Sequence, residues 1–262
     1  MNCLFYLFLV FLSFIQPLHP YEPINIETLP ILRTHQYPIK PYSNIIISSA
    51  HRTGSTLIYN VARFLFENPQ NICNSDWDHN KKNLVLKTHN LSNLVFLNNK
   101  NPLYLIPIRN PITATISNYR IQLIPPQDLE SFVREMFFLQ ARHLLFIEDL
   151  QKNNKNFLVI KYENFNDNLD YLFDLIEKRL LISINNIDRK NIKLGLSKKS
   201  VSSSTNHFAS FEEFLPSSRF HGKHVAQQDY TPPEELLYWI YYYLDEIKPA
   251  FQEYGYFTDS SP

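Results

Sequence analysis

The chain has 262 residues, 44% of them hydrophobic, and its 25 Lys and Arg balance 25 Asp and Glu. That length and apolar content support a sizeable core in one large domain or two small ones. The zero net charge excludes the broad cationic surface that general nucleic-acid binding needs, and two cysteines, Cys3 and Cys73, exclude a disulfide framework or a cysteine metal site within one chain.

Cys3 to Ile15 is almost wholly apolar but shorter than the ~20 residues a membrane-spanning helix needs. Residues 1–18 therefore read as a leader resembling a secretory signal, although no Lys or Arg precedes the apolar run and no small-x-small cleavage site follows it. A short uncleaved anchor, giving membrane association through residues 3–15, and a soluble N-terminal element are the other two readings. Localisation accordingly divides between the secretory pathway or a membrane surface and the cytoplasm. Pro17 to Pro41 holds six prolines, so residues 19–43 are assigned to an extended linker and 44–262 to the folded domain.

From residue 44 the pattern alternates. Asn44–Ser49 is a short continuous apolar run of the kind buried in a parallel sheet. Ser55–Glu67 follows as a helix, with Leu57, Ile58, Val61, Phe64 and Leu65 at helical spacing. Strands are predicted at Asn83–Thr88, Leu103–Ile108 and Asn156–Lys161. Helices are predicted from Pro111 to about Leu123, opened by its proline, and over Gln127–Lys152, Leu169–Leu181 and Pro232–Tyr254, with a Ser- and Asn-rich loop at 197–210. Gly195 and Gly255 read as turn or helix-end residues. Strands alternating with helices predict an α/β fold, a parallel sheet covered on both faces in three layers. Ligands of such sheets bind beyond the carboxyl ends of the strands.

The chemically active residues fall at those ends. The first strand breaks into His51-Arg52-Thr53-Gly54-Ser55-Thr56 and enters a helix, whose N-terminal amides and partial positive charge suit an anion. Gly54 permits close backbone approach, Ser55 and Thr56 add hydroxyls, and Arg52 adds a planar cation. The run is not a Walker A loop, because the Gly-Lys-Ser/Thr is missing. The second strand ends in Lys87-Thr88-His89. The third ends in Arg109-Asn110-Pro111, with Ser117 eight residues after Arg109, and the fourth in Lys161-Tyr162-Glu163. Each segment alone suits a solvated strand end or a helix start. Together they place cations, hydroxyls and a titratable His on one rim, a site for a polyanionic ligand.

In this order the segments resemble those of the PAPS-dependent sulfotransferases (PAPS is 3'-phosphoadenosine-5'-phosphosulfate), over residues 44 to 255. The first is similar to the 5'-phosphosulfate loop, usually P-K-S-G-T-T. Lys87-Thr88-His89 matches the K-T-H strand end that carries the base. Arg109-Asn110-Pro111 through Ser117-Asn118-Tyr119-Arg120 resembles the 3'-phosphate motif, and Lys161-Tyr162-Glu163-Asn164 the Y-E-D/N segment near the adenine. Arg52 stands where soluble members usually carry Lys, and Leu57 where they often carry an adenine-stacking Trp. Arg219-Phe220-His221-Gly222-Lys223 loosely echoes a late R-K-G element.

The resemblance implies a P-loop NTPase-like sulfotransferase fold and an enzyme that moves a sulfuryl group from PAPS to an acceptor hydroxyl, releasing 3',5'-ADP without a metal. It implies His89, Lys87 and Arg52 as the catalytic set. It implies Arg52, Thr53, Gly54, Ser55, Thr56, Arg109, Ser117, Tyr162 and Lys223 as nucleotide ligands, with Arg219 the alternative to Lys223. The acceptor is a hydroxyl-bearing small molecule or carbohydrate, and nucleic acid is not a partner. The one sequon, Asn90-Leu91-Ser92, adjoins His89, which argues against a glycosylating lumen. The alternatives are a P-loop-type kinase, a catalytically silent module that binds a nucleotide or a sulfated glycan, and a purely structural protein.

Overall fold

The computed structural model describes residues 35–67, 85–91, 101–122, 124–197 and 230–258. The leader, the 197–210 loop beyond Ser197, and both Arg219 and Lys223 lie outside the described residues.

Four strands form one sheet in the order β2-β1-β3-β4: β1 (Ile45–Ser48), β2 (Val85–Thr88), β3 (Leu103–Ile108) and β4 (Asn156–Lys161). Every pairing is parallel, with Ile47 opposite Lys87, Ile47 opposite Leu105, and Ile108 opposite Lys161. All four carboxyl ends therefore meet at one edge. β1 and β3 are buried throughout, as central strands covered on both faces should be.

The alternation of side chains along β1 divides the core. Ile45 and Ile47 pack with helix α1 (Ser55–Phe66) and α5 (Leu169–Leu180), through Ile58, Leu65 and Phe173 among others. Ile46 faces the other layer with Ile106 and Ile108, against Val133, Phe137 and Leu144 of α3 (Leu129–Lys152) and Ile240 and Phe251 of α7 (Glu234–Gln252). This is the three-layer parallel sheet expected from the alternation.

Local chemistry sets the helix starts. Asn110 caps α2 (Pro111–Ile121), its side chain accepting from the amides of Ile112 and Thr113 at 3.0 and 3.4 Å. Asp128 caps α3 in the same way through the Ser131 amide at 2.9 Å. Two helices escaped the sequence reading, the four-residue α4 (Tyr162–Phe165) and α6 (Asn186–Gly195). Gly195 ends α6, and Gly255 takes a left-handed turn at φ 71° just past α7. Residues 35–43, grouped with the linker for their prolines, contribute Tyr37 and Ile39 to the core, and the Tyr37 hydroxyl donates to Asp188 at 2.8 Å.

Candidate functional site

The loop after β1 opens α1 without a side-chain cap. Gly54 takes the cap position at φ 85°, and the first intrahelical bonds run from Leu57 and Ile58 back to its carbonyl, at 3.0 and 3.2 Å. The amides of Ser55 and Thr56 precede those bonds, so the helix leaves them as donors. A Cβ on Gly54 would meet Tyr162 Cδ2 at 2.7 Å and Phe165 Cζ at 2.8 Å, so α4 closes directly over the loop. Thr53 is buried and its hydroxyl donates to the Ala50 carbonyl at 3.0 Å, which closes the turn.

Arg52 is also left-handed, at φ 65°, a conformation that costs a non-glycine residue on the order of 1 kcal/mol and needs support. Two bonds supply it. Arg109 Nη1 donates to the Arg52 carbonyl at 3.1 Å, and Arg52 Nε donates to Ser117 Oγ at 3.2 Å. The guanidinium after β3 and the hydroxyl on α2 thus touch the loop after β1. Arg109 also lies over the Tyr162 ring, 4.2 Å from its centroid, and its Nε donates to Thr113 Oγ1 at 3.0 Å.

From β2, Lys87 Nζ donates to Thr56 Oγ1 at 2.8 Å. His89 Nδ1 lies 2.8 Å from the Ser49 carbonyl. A carbonyl only accepts, so Nδ1 carries the hydrogen and Nε2 keeps its lone pair. The His51 ring stacks on His89 with centroids 4.3 Å apart and planes at 28°.

The electrostatics are cationic. Burial pushes the Arg52 guanidinium down to about 10, Arg109 and Arg120 add to the fall, and Tyr162 opposes it. Burial likewise lowers Arg109, against the pull of Tyr162 and Glu163. Both remain charged at neutral pH. Among the described residues no carboxylate lies within ion-pair range of either one. Burial, then Lys87 and His51, holds His89 well below the ordinary imidazole value. Crowding by nearby protein atoms, then Lys87, pushes His51 down to about 4, although the residue is exposed to solvent. Both rings are neutral at pH 7. No group of three metal-ligating side chains occurs among the described residues.

The structure thus gathers Arg52, Thr53, Gly54, Ser55, Thr56, Lys87, His89, Arg109, Ser117 and Tyr162 at one edge of the sheet. Four participants went unassigned from sequence. His51 stacks on His89, and Arg120 adds to the positive field. Glu163 accepts from the Asn110 amide at 3.0 Å and from the Tyr256 hydroxyl at 2.6 Å, tying the chain after α7 to the start of α2. No spacing signal links Glu163 to a tyrosine 93 positions away. His51, by contrast, was legible as a titratable residue at a strand end.

No family model matches the chain. No curated protein matches it. Among solved structures, mouse sulfotransferase SULT7A1 complexed with PAP matches with TM-score 0.51 and 18% identity, over 83% of this chain and 85% of its own. Retinol dehydratase in complex with androsterone and inactive cofactor PAP matches with TM-score 0.49 and 13% identity, over 86% of this chain and 84% of its own. The four-stranded parallel sheet between two helical layers, and its likeness to the mouse enzyme, show that this chain has the α/β fold of the PAPS-dependent sulfotransferases.

Proposed function

We propose that the protein transfers a sulfuryl group from PAPS to an acceptor hydroxyl. The observation that carries this reading is the hydrogen bond from Arg109 to the Arg52 carbonyl at 3.1 Å, which unites the two anion-holding motifs in one site. A ligand with anionic groups at two ends suits that pair. The absence of carboxylates in ion-pair range of Arg52 and Arg109 among the described residues supports an anionic ligand.

The residues present fit PAPS. The Ser55 and Thr56 amides, with their hydroxyls and the turn held by Thr53 and Gly54, cradle the 5'-phosphosulfate. Arg109 and Ser117 take the 3'-phosphate, with Lys223 or Arg219 as the late-chain contribution. Tyr162 holds Arg109 and borders the adenosine. Bound there, PAPS supplies an electron-poor sulfuryl group on a phosphate leaving group.

His89 accepts the hydroxyl proton at Nε2 as the acceptor oxygen bonds to sulfur. The sulfur–oxygen bond to phosphate breaks, and its electron pair stays on the departing 3',5'-ADP. Arg52 and Lys87 neutralise the charge that grows on that phosphate. The acceptor is a hydroxyl-bearing small molecule or carbohydrate. Residues 3–15 would bring the enzyme to a membrane, and no helix among the described residues is itself long and apolar enough to cross one.

A thermal-shift comparison of 3',5'-ADP, ADP and ATP-Mg tests the donor class. At 100-fold excess over Kd a ligand stabilises by about 2.7 kcal/mol, which is about 5–10 °C for a domain of this size. The expected result is such a shift with 3',5'-ADP and little with the other two. An equal or larger shift with ATP-Mg, or none with 3',5'-ADP, overturns the reading.

A further inference from the structure

We propose that His51 is a positioning residue for the base: its imidazole, stacked on His89, holds the plane of that ring, so that Nδ1 stays on the Ser49 carbonyl and Nε2 stays the free proton acceptor. The inference rests on the sulfotransferase reading, in which His89 takes the acceptor's proton. In the loop that the sequence resembles, this position is a proline. The second imidazole is therefore a feature of this chain.

The geometry is specific. One hydrogen bond, from Nδ1 to the Ser49 carbonyl, pins a single atom of the His89 ring. That bond does not set the ring plane, and the torsion that turns an imidazole about its own axis is soft. A second ring lying on its face at 4.3 Å and 28° removes this freedom. The loop brings His51 there, since Arg52, the next residue, is locked through its carbonyl by Arg109 and through Nε by Ser117.

The groups facing the pair point the same way. Lys87 faces it from β2, Arg52 from the loop, and His143 from α3. His143 is buried, its Nδ1 donates to the Leu139 carbonyl at 2.9 Å, and its Nε2 has no partner among the described residues. Lys87 disfavours charge on both stacked rings and Arg52 adds to this at His51, so the two meet without mutual repulsion at rest. Once His89 has taken a proton, the neutral face of His51 lies against an imidazolium, a favourable cation–π contact that exists only after the transfer.

The test uses His51→Ala and His51→Phe in the full chain. Imidazole ¹⁵N NMR of the ligand-free protein reads the His89 tautomer, and binding of 3',5'-ADP checks the fold. The expected wild-type signal is a single tautomer with hydrogen on Nδ1. His51→Ala should mix the tautomers and lower kcat about 10-fold, part of the ~10²–10⁴ a general base supplies, with Kd for 3',5'-ADP changed less than about 2-fold. His51→Phe, which keeps a flat ring, should restore both the tautomer and most of the rate. A single tautomer and full kcat in His51→Ala overturn the inference, as does a folded His51→Phe that mixes tautomers. Wild-type protein that neither binds 3',5'-ADP nor transfers sulfuryl instead refutes the function, while the tautomer still reports on the stack.

Discussion

His89 and Arg109 lie at the ends of the strands on either side of β1, and in the proposed reaction they carry separable tasks, which single substitutions can split. His89→Ala removes the proton acceptor and nothing that touches the nucleotide, so kcat should fall about 10²–10⁴-fold while 3',5'-ADP still binds. Arg109→Ala removes a charged donor and should raise Kd for 3',5'-ADP about 10–100-fold, measured by calorimetry. Gly54 is constrained for a different reason. A side chain there pays a left-handed penalty of about 1–2 kcal/mol and an overpacking cost of about 1–3 kcal/mol against Tyr162 and Phe165. Denaturant unfolding of Gly54→Ala should show a loss of about 2–5 kcal/mol. The need for glycine at 54 was legible from the strand-to-helix turn. That α4 packs its rings on the glycine was not, because Tyr162 and Phe165 reach it only through the sheet.

Among the elements, the strands and long helices could be read because their apolar runs and spacings are clear in the sequence. β3 and β4 have the predicted bounds, and α3 begins two residues later than the pattern suggests, where Asp128 caps it. The helix α6 was invisible for the converse reason: Ile192 is its one buried apolar side chain, with Ile187 and Leu194 exposed, so few apolar residues mark it in the sequence. Its signal was the Asn185 cap, whose side chain accepts from the Asp188 amide at 2.8 Å. The turn after α7 bears on the site through Tyr256, which is buried and whose hydroxyl burial and Glu163 hold above the ordinary phenol value. Glu163 in turn holds the Asn110 amide beside Arg109. Glu163→Gln keeps the shape and drops the charge. It should weaken 3',5'-ADP roughly 3–10-fold and leave 5'-AMP, which lacks the 3'-phosphate, unchanged. Equal losses for both nucleotides would place Glu163 in general folding instead.

Over the whole molecule, the site sits where it does because four parallel strands end at one edge, and that arrangement followed from the alternation of apolar runs and helices. The cost of packing imidazoles among cations is a pH-dependent stability. His51 and His89 both have folded pKa values below the unfolded value near 6.5, so the unfolded chain binds protons that the native state refuses. Stability is therefore full above about pH 6.5 and falls as pH drops toward about 4. A Tm series should decline over that window, and His51→Asn with His89→Asn should make it shallower, leaving the share of His143, which burial also lowers. The brace between Arg109 and the Arg52 carbonyl carries one more implication. In the proposed complex, an anion that pulls the Arg109 fork outward would loosen Arg52, the only left-handed arginine among the described residues. The two halves of an adenosine bisphosphate would then sense each other through the backbone, and their binding free energies would not sum.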